Sequence, residues 1–192
     1  MMGPVEPPTR CQLAVQHPEG SFADVDFREM SDDRPGDDYH IDGRGRLPNG
    51  FTLLVGVALN DQHAQGRCKS WGGFTVFPGS HMNRRLHASY PRQRAGATQG
   101  PRRVRGGSPL IDLGEPVQLR LGQGDAVVAH SLLAHRRARN WSEAVRCMVY
   151  FRLKPAGRGA DWEAGVLEDP MANLPGVRLP PGTAAPSEPG RP

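Results

Sequence analysis

The sequence predicts an all-β fold, a β-sandwich or jelly roll, on three observations. Of 192 residues, 24 are glycine and 19 are proline, about twice the usual share, which favours many turns over long helices. Short apolar runs recur along the chain and are bounded by turn-forming residues. No segment has the length and periodicity of a confident amphipathic helix. Seven or eight short strands with little helix are typical of sandwiches and jelly rolls.

The first quarter of the chain contains one clear strand and one acidic loop. Residues 1–10 are rich in proline and are predicted to be a disordered lead-in. Residues 11–17 alternate between polar and apolar side chains, as a strand does. Residues 19–38 are acidic and polar and predict a loop. Residues 39–43 follow as a short strand edge.

The middle of the chain holds the most apolar runs. Residues 51–59 are rich in β-formers and too short for a confident helix, so they predict a buried strand. Residues 72–81 contain another strand, which Pro78 and Gly79 stop. Residues 82–108 are polar, with one short helix expected near 82–90. Residues 117–121 alternate cleanly and predict the next strand.

Two further strands complete the predicted core. A turn at Gly124-Asp125 leads into residues 126–130, and residues 145–153 form the last strong strand. The predicted core therefore spans residues 11–155, and residues 156–174 are a C-terminal extension. Residues 175–192 are so rich in proline that we expect a disordered tail.

Composition and charge exclude several classes of protein. The net charge is only +4, and aromatic residues make up 6% of the chain and lie away from the arginine clusters, so we expect no nucleic-acid partner. No apolar run is long enough to span a membrane, and no secretory leader opens the chain. Three widely spaced cysteines favour a reducing compartment, and we expect a cytoplasmic location.

A His-x-Asp pair carries the clearest chemical signal. On an extended segment, His40 and Asp42 project to the same face and could bind one metal ion together. A third ligand must come from a distant strand, and both His130 and His135 are candidates. Two histidines and one carboxylate leave three open positions in an octahedron, which suits non-haem Fe(II), a chelating co-substrate and O2.

Two arginines lie on the last strand, residues 145–153. Arg146 opens the strand among apolar neighbours and needs an anionic partner, which the carboxylate of a bound ligand would supply in fork geometry. Arg152 lies on the same face, six residues later. Because it is near the end of the strand, we expect Arg152 to be solvated.

Several segments, taken in order, resemble the phytanoyl-CoA dioxygenase-like family. They are His40-Ile-Asp-Gly, Phe-Thr-Leu-Leu-Val-Gly-Val-Ala-Leu-Asn-Asp61, Gly-Gly-Phe-Thr-Val-Phe-Pro-Gly-Ser-His81, Gly124-Asp-Ala-Val-Val-Ala-His-Ser-Leu-Leu-Ala-His135, Asn140-Trp-Ser142 and Arg146. The resemblance covers roughly residues 11–153. It implies a double-stranded β-helix, a jelly roll or cupin-like fold, that lacks N-terminal flanking elements.

The resemblance also implies an activity, a Fe(II)- and 2-oxoglutarate-dependent dioxygenase that hydroxylates an unidentified small molecule and releases succinate and CO2. It makes His40, Asp42 and His135 the metal ligands. Arg146 takes the position of the residue that binds 2-oxoglutarate, and Gln16 resembles a position where relatives offer it an amide. Among the other histidines, His81 resembles a turn residue at the rim of the pocket, whereas His17, His63 and His87 are expected at the surface.

The sequence departs from the family pattern in two ways. Relatives carry a small residue after the last metal histidine, whereas Arg136 and Arg137 follow here and could crowd the site or bind an acidic group. Relatives also carry a substantial region before the first core strand, and we expect this chain to lack it. Two alternatives therefore stay open. One is a catalytically impaired or truncated jelly-roll remnant, and the other is a cupin-like metal-binding protein without oxygenase activity.

Overall fold

A computed structural model describes residues 3–19, 39–42, 50–63, 70–88, 111–157, 166–167, 169–171 and 174. Seven strands lie in these ranges, and residues 84–88 are helical. The strands are β1 (Cys11–Gln16), β2 (Leu53–Ala58), β3 (Phe74–Val76), β4 (Val117–Gln118), β5 (Ala126–His130), β6 (His135–Arg137) and β7 (Arg146–Leu153). A 3-10 turn, Ser80–Met82, follows β3.

The strands form two antiparallel sheets. The larger sheet has the order β1-β7-β2-β5, and the smaller has the order β4-β3-β6. An isolated bridge between His40 and His135 adds the residue 40 segment beside β6. Every strand pair is antiparallel.

The pairing is nested, which is the pattern of a jelly roll. β1 pairs with β7, the residue 40 segment with β6, β2 with β5, and β3 with β4. The first strand therefore pairs with the last, and the two strands in the middle of the series, β3 and β4, pair with each other. This is the pattern of one long hairpin that is folded over into two sheets. The predicted all-β, double-stranded β-helix fold is confirmed.

Alternation of side chains directs one face of each sheet into the core. Along β2 and β7, buried and half-buried residues alternate over most of each strand, as expected when one face packs against the other sheet. The main core cluster lies between the sheets and contains Phe51, Leu54, Ala58, Phe74, Leu121, Ala129, Met148 and Tyr150. A second cluster, Ile41, Phe77, Leu86 and Ala134, lies beneath the residue 40 segment.

The ends of the chain were predicted as separate segments. Val5, in the predicted lead-in, bridges Pro155 beyond the last strand. Val166 and Leu174 of the predicted C-terminal extension are buried. The predicted tail, residues 175–192, lies outside the described residues, as do residues 20–38 of the acidic loop. Within the described ranges, no helix is long and apolar enough to cross a membrane.

Candidate metal centre

A single antiparallel bridge brings the two predicted histidine ligands together. The backbone N–H of His40 donates to the carbonyl of His135, and the N–H of His135 donates to the carbonyl of His40, both at 2.9 Å. Residues paired in this way project to the same face, and the two imidazole centroids are 4.4 Å apart. Asp42 joins them because it lies two residues after His40.

The three side chains are close enough to share one metal ion. Asp42 Oδ1 lies 3.6 Å from His40 Nε2 and 3.7 Å from His135 Nε2. The ligand atoms of all three residues lie within 4.8 Å of one another. Two atoms bound to a common ion at about 2.1 Å can be no more than roughly 4.2 Å apart, so both carboxylate–imidazole pairs satisfy this limit.

Hydrogen bonding prepares His135 to coordinate through one nitrogen. Its Nδ1 lies 2.9 Å from the carbonyl oxygen of Leu133. Because a carbonyl only accepts, Nδ1 must carry the proton, and Nε2 keeps its lone pair for a metal. Burial, with the nearby His40, lowers the pKa of His135 to about 4 despite the opposing charge of Asp42. The imidazole is therefore neutral at pH 7, the form that binds metals.

The carboxylate of Asp42 is ionised and oriented. Burial would raise its pKa, but a hydrogen bond from His40 and the charges of His135 and Arg152 outweigh burial and hold the pKa well below its ordinary value. Arg152 donates to Asp42 Oδ2 from Nε at 3.1 Å and from Nη2 at 2.8 Å. Arg152 is exposed, as predicted, and it is held by this ion pair with Asp42 at the same time.

Arg146 lies inside the same barrel and is 4% exposed. Its Nε donates to Gln62 Oε1 at 3.2 Å, and its Nη2 lies 2.8 Å from the hydroxyl of Tyr150 and 2.7 Å from the sulfur of Met148. All these partners are neutral. Among the described residues, no carboxylate pairs with this buried guanidinium, although burial of a charge is costly without a counter-charge.

A row of side chains connects Arg146 to the metal ligands. The ring of Phe74 lies 5.1 Å from His135 and 5.9 Å from Tyr150, measured between centroids. Burial raises the pKa of Tyr150, although the neighbouring Arg146 opposes the rise. The hydroxyl of Tyr150 contacts Arg146 and its ring lies beside Phe74, so the row runs from Arg146 through Tyr150 and Phe74 to His135.

Gln16 lies at the end of β1, directly opposite Arg146 in the register. Its amide donates to Glu19 Oε1 at 2.9 Å and to the carbonyl of Ala138 at 3.0 Å. Both amide hydrogens are thus engaged, and the unpartnered buried atom is the acceptor Oε1. A role of Gln16 toward 2-oxoglutarate stays a prediction, and it would require these bonds to rearrange.

The structure separates the two candidate third ligands. Both ring nitrogens of His130 are engaged within the described protein: Nδ1 accepts from the N–H of Leu132 at 3.0 Å, and Nε2 donates to the carbonyl of Pro170 at 2.8 Å. His130 instead faces His81, with ring centroids 5.6 Å apart. His135 offers a free Nε2 beside Asp42, so the geometry favours it.

The remaining predictions for polar residues had mixed outcomes. His17 and His63 are exposed as expected, but His87 is 1% exposed, so its predicted surface position is wrong. The guanidinium of Arg136 lies over the ring of Phe77, on the strand face opposite His135, and Arg137 is exposed. Arg136 therefore points away from the candidate ligands, whereas Arg137 shares the strand face of His135.

Two residues near the site were not singled out from the sequence, Gln62 and Tyr150, and both hold Arg146. The period-2 pattern of β7 could have found Tyr150, because it shares one face of the strand with Arg146 and Arg152. Gln62 gave no such signal, since it lies beyond the end of β2.

Comparison with known proteins gives structural neighbours only. No protein-family model matches the chain, and no curated protein matches it significantly. The non-heme alpha ketoglutarate dependent carbocyclase SnoK from nogalamycin biosynthesis is similar, with 19% identity and a TM-score of 0.48 over 80% of this chain and 52% of SnoK. AviO1 from Streptomyces viridochromogenes Tue57 has 19% identity and a TM-score of 0.45 over 82% of this chain and 54% of AviO1.

A third solved structure, EvdMO1, has 17% identity and a TM-score of 0.46 over 80% of this chain and 28% of EvdMO1. The chain thus spans between about a quarter and a half of the length of these three proteins.

Proposed function

We propose that the chain is a Fe(II)- and 2-oxoglutarate-dependent dioxygenase of the phytanoyl-CoA dioxygenase-like type. One oxygen atom of O2 would enter a C–H bond of a small organic substrate as a hydroxyl group. The other would enter succinate, which forms as 2-oxoglutarate loses CO2. The identity of the substrate is left open, since a fold does not fix it.

One observation carries this proposal: a two-histidine, one-carboxylate set shares the barrel interior with a buried arginine whose described partners are all neutral. His40, Asp42 and His135 would hold the ion and leave positions open for a chelating 2-oxo acid and for O2. Arg146 would supply the charge that a second carboxylate, at the far end of the 2-oxo acid, requires.

The residues present fit Fe(II), which would be held by His40, Asp42 and His135. Bound there, the ion would supply the oxidative chemistry. His135 would coordinate through Nε2 because Leu133 holds the proton on Nδ1. The core residues Phe74 and Met148 are buried beside these groups, and they would exclude water from the reacting centre.

Arg146 would fix the orientation of the co-substrate. Its Nε and Nη2 are held by Gln62 and Tyr150, so the guanidinium is directed along the strand toward the metal ligands. A planar fork of donors fixes both the distance and the tilt of a carboxylate. The hydroxyl of Tyr150 accepts from Arg146 and donates its own proton to the sulfur of Met148 at 3.2 Å. That proton would turn from the sulfur to the same carboxylate when the co-substrate binds.

The test is release of succinate from 2-oxoglutarate with Fe(II), O2 and ascorbate. The wild-type chain is expected to release succinate slowly even without its substrate, and His135→Ala is expected to release none above the blank. His63→Ala is the matched control, because His63 is exposed and outside the site.

Two results would contradict the proposal. One is equal silence of the wild type and His135→Ala although the wild type binds iron, which would favour a metal-binding protein without oxygen chemistry. The other is equal activity in both, which would exclude His135 as a ligand. Fe(II) binding is therefore measured on the same preparations, by competition with a chromogenic chelator.

A further inference from the structure

The two oxygens of Asp42 are divided between two tasks. Oδ1 lies 3.6 Å and 3.7 Å from the two imidazole Nε2 atoms. Oδ2 accepts both hydrogen bonds from Arg152, at 3.1 Å and 2.8 Å. A carboxylate can otherwise rotate about its Cβ–Cγ bond and offer either oxygen or both to a metal, so this division is imposed from outside.

The guanidinium of Arg152 is itself held in place. Its Nη2 also donates to Gln12 Oε1 at 3.0 Å, across the β1–β7 pair. Its central carbon lies over the ring of Phe51, 5.6 Å from the centroid. A side chain that is 39% exposed is thus fixed by two acceptors and an aromatic face, whereas an exposed arginine ordinarily samples many rotamers.

We propose that Arg152 is a positioning residue that reserves Oδ2 and presents Asp42 to the metal through Oδ1 alone. This inference rests on the proposed metal centre. A single-oxygen ligand keeps three coordination positions open, whereas chelation by both oxygens of Asp42 would close one of them. Residues that orient metal ligands typically change metal affinity by about 10–100-fold when they are replaced.

Two variants separate orientation from charge. Arg152→Lys keeps the positive charge but cannot give two parallel donors to one oxygen, and Arg152→Gln removes both. Arg139→Gln is the matched control. Like Arg152, Arg139 is partly exposed, at 37%, pairs with a carboxylate, that of Glu19, and lies over an aromatic ring, that of Trp141. Neither of these partners is a proposed metal ligand. Binding of Co(II) is measured by titration, together with the visible d–d spectrum of the bound ion and the thermal unfolding of the metal-free protein.

If Arg152 positions Asp42, both Arg152→Lys and Arg152→Gln weaken Co(II) binding by 10-fold or more and change the d–d bands, which report the number and arrangement of ligands. Arg139→Gln keeps the wild-type affinity and spectrum, and the metal-free variants unfold at similar temperatures.

Tighter binding of Co(II) by Arg152→Gln together with unchanged binding by Arg152→Lys would overturn the inference, because it would show an effect of charge alone. Wild-type affinity and spectrum in both variants would overturn it as well, while leaving the metal centre intact. A wild-type chain that binds no Co(II) would overturn the proposed function and this inference with it.

Discussion

Replacing Arg146 by glutamine is the most direct perturbation of the proposed co-substrate site. The guanidinium has five N–H donors. Nε and Nη2 contact Gln62, Tyr150 and Met148, and the two hydrogens on Nη1 have no partner among the described residues. These two donors can therefore form charge-assisted bonds to a carboxylate without breaking the existing contacts.

The two free donors on Nη1 set the expected loss of 2-oxoglutarate affinity. Each hydrogen bond to a charged group contributes about 1.5–3 kcal/mol, and breaking a buried ion pair by removing one partner costs about 3–5 kcal/mol. Arg146→Gln should therefore weaken 2-oxoglutarate binding by roughly 10²–10⁴-fold. Binding of the metal should change less than threefold, since Arg146 touches no ligand atom.

Calorimetric titration of the Co(II)-loaded protein measures this loss without turnover. 2-Oxobutanoate is the control ligand, because it has the same chelating end and no distal carboxylate. The wild type should prefer 2-oxoglutarate by roughly the factor that the variant loses, and Arg146→Gln should bind both acids alike. Equal losses for both acids would mean a damaged site, and unchanged affinities would refute the assignment of Arg146.

Stability of the metal-free protein gives an independent check. Arg146 is buried with neutral partners only, so its charge is not repaid by an ion pair within the described protein. Removing an uncompensated buried charge relieves a desolvation cost of several kcal/mol. Arg146→Gln should therefore lower the free energy of unfolding by less than about 1 kcal/mol, whereas an arginine kept for structure would cost more.

Three further predictions concern the packing and titration around the site. Gly56→Ala should lower the free energy of unfolding by about 1–3 kcal/mol in urea titrations, because a Cβ there would lie 2.7 Å from Cε1 of Tyr150; wild-type stability would show that the ring moves freely. Tyr150→Phe should weaken 2-oxoglutarate binding about 5–15-fold in the same calorimetric assay, because it removes the hydroxyl held by Arg146, and no change would exclude the hydroxyl from the site. Burial lowers the pKa of His87 and of His130 from 6.5 to about 4. As the pH falls, the unfolded chain therefore binds protons at these histidines before the folded chain does. The free energy of unfolding is highest above pH 6.5 and decreases as the pH falls toward 4. Between pH 7 and pH 5 the loss is about 2 kcal/mol per histidine, to be measured by urea unfolding, and a flat pH profile would contradict the burial of these rings.

Most strands were predictable from short apolar or alternating runs bounded by turn residues. β1, β5 and β7 were predicted within about one residue of their observed ends, whereas β4 ends three residues before the end of its alternating run, residues 117–121. β6 was not predicted separately, since His135-Arg136-Arg137 shows no alternation of apolar and polar residues. Its strand conformation comes from pairing with β3 and with His40, which are distant in the sequence.

The candidate site was predictable in its residue types and less so in its contacts. His40 and Asp42 follow from local spacing, which leaves His130 and His135 open as the third ligand. The family resemblance favours His135, and the tertiary bridge between His40 and His135 places it beside the pair. The contacts of Arg152 were equally hard to predict. Alternation along β7 showed which face of the strand Arg152 occupies, but its partner, Asp42, lies 110 residues away in the sequence. His87 was misplaced because the helical segment, residues 84–88, is too short to show which side faces the core.

The inner face of β7 links the two halves of the proposed chemistry. Four side chains lie in a row on this face, those of Arg146, Met148, Tyr150 and Arg152. Arg152, at one end of the row, binds the carboxylate of Asp42, and Arg146 stands at the other end, beside Tyr150. β7 is paired on both sides, with β1 and β2, so its register is fixed by two ladders of hydrogen bonds. A slip of one residue would turn all four side chains to the outer face. The backbone of one central strand therefore sets the spacing between Arg146 and Arg152, which holds the proposed ligand Asp42. This spacing would give a fixed length against which a dicarboxylic 2-oxo acid is selected.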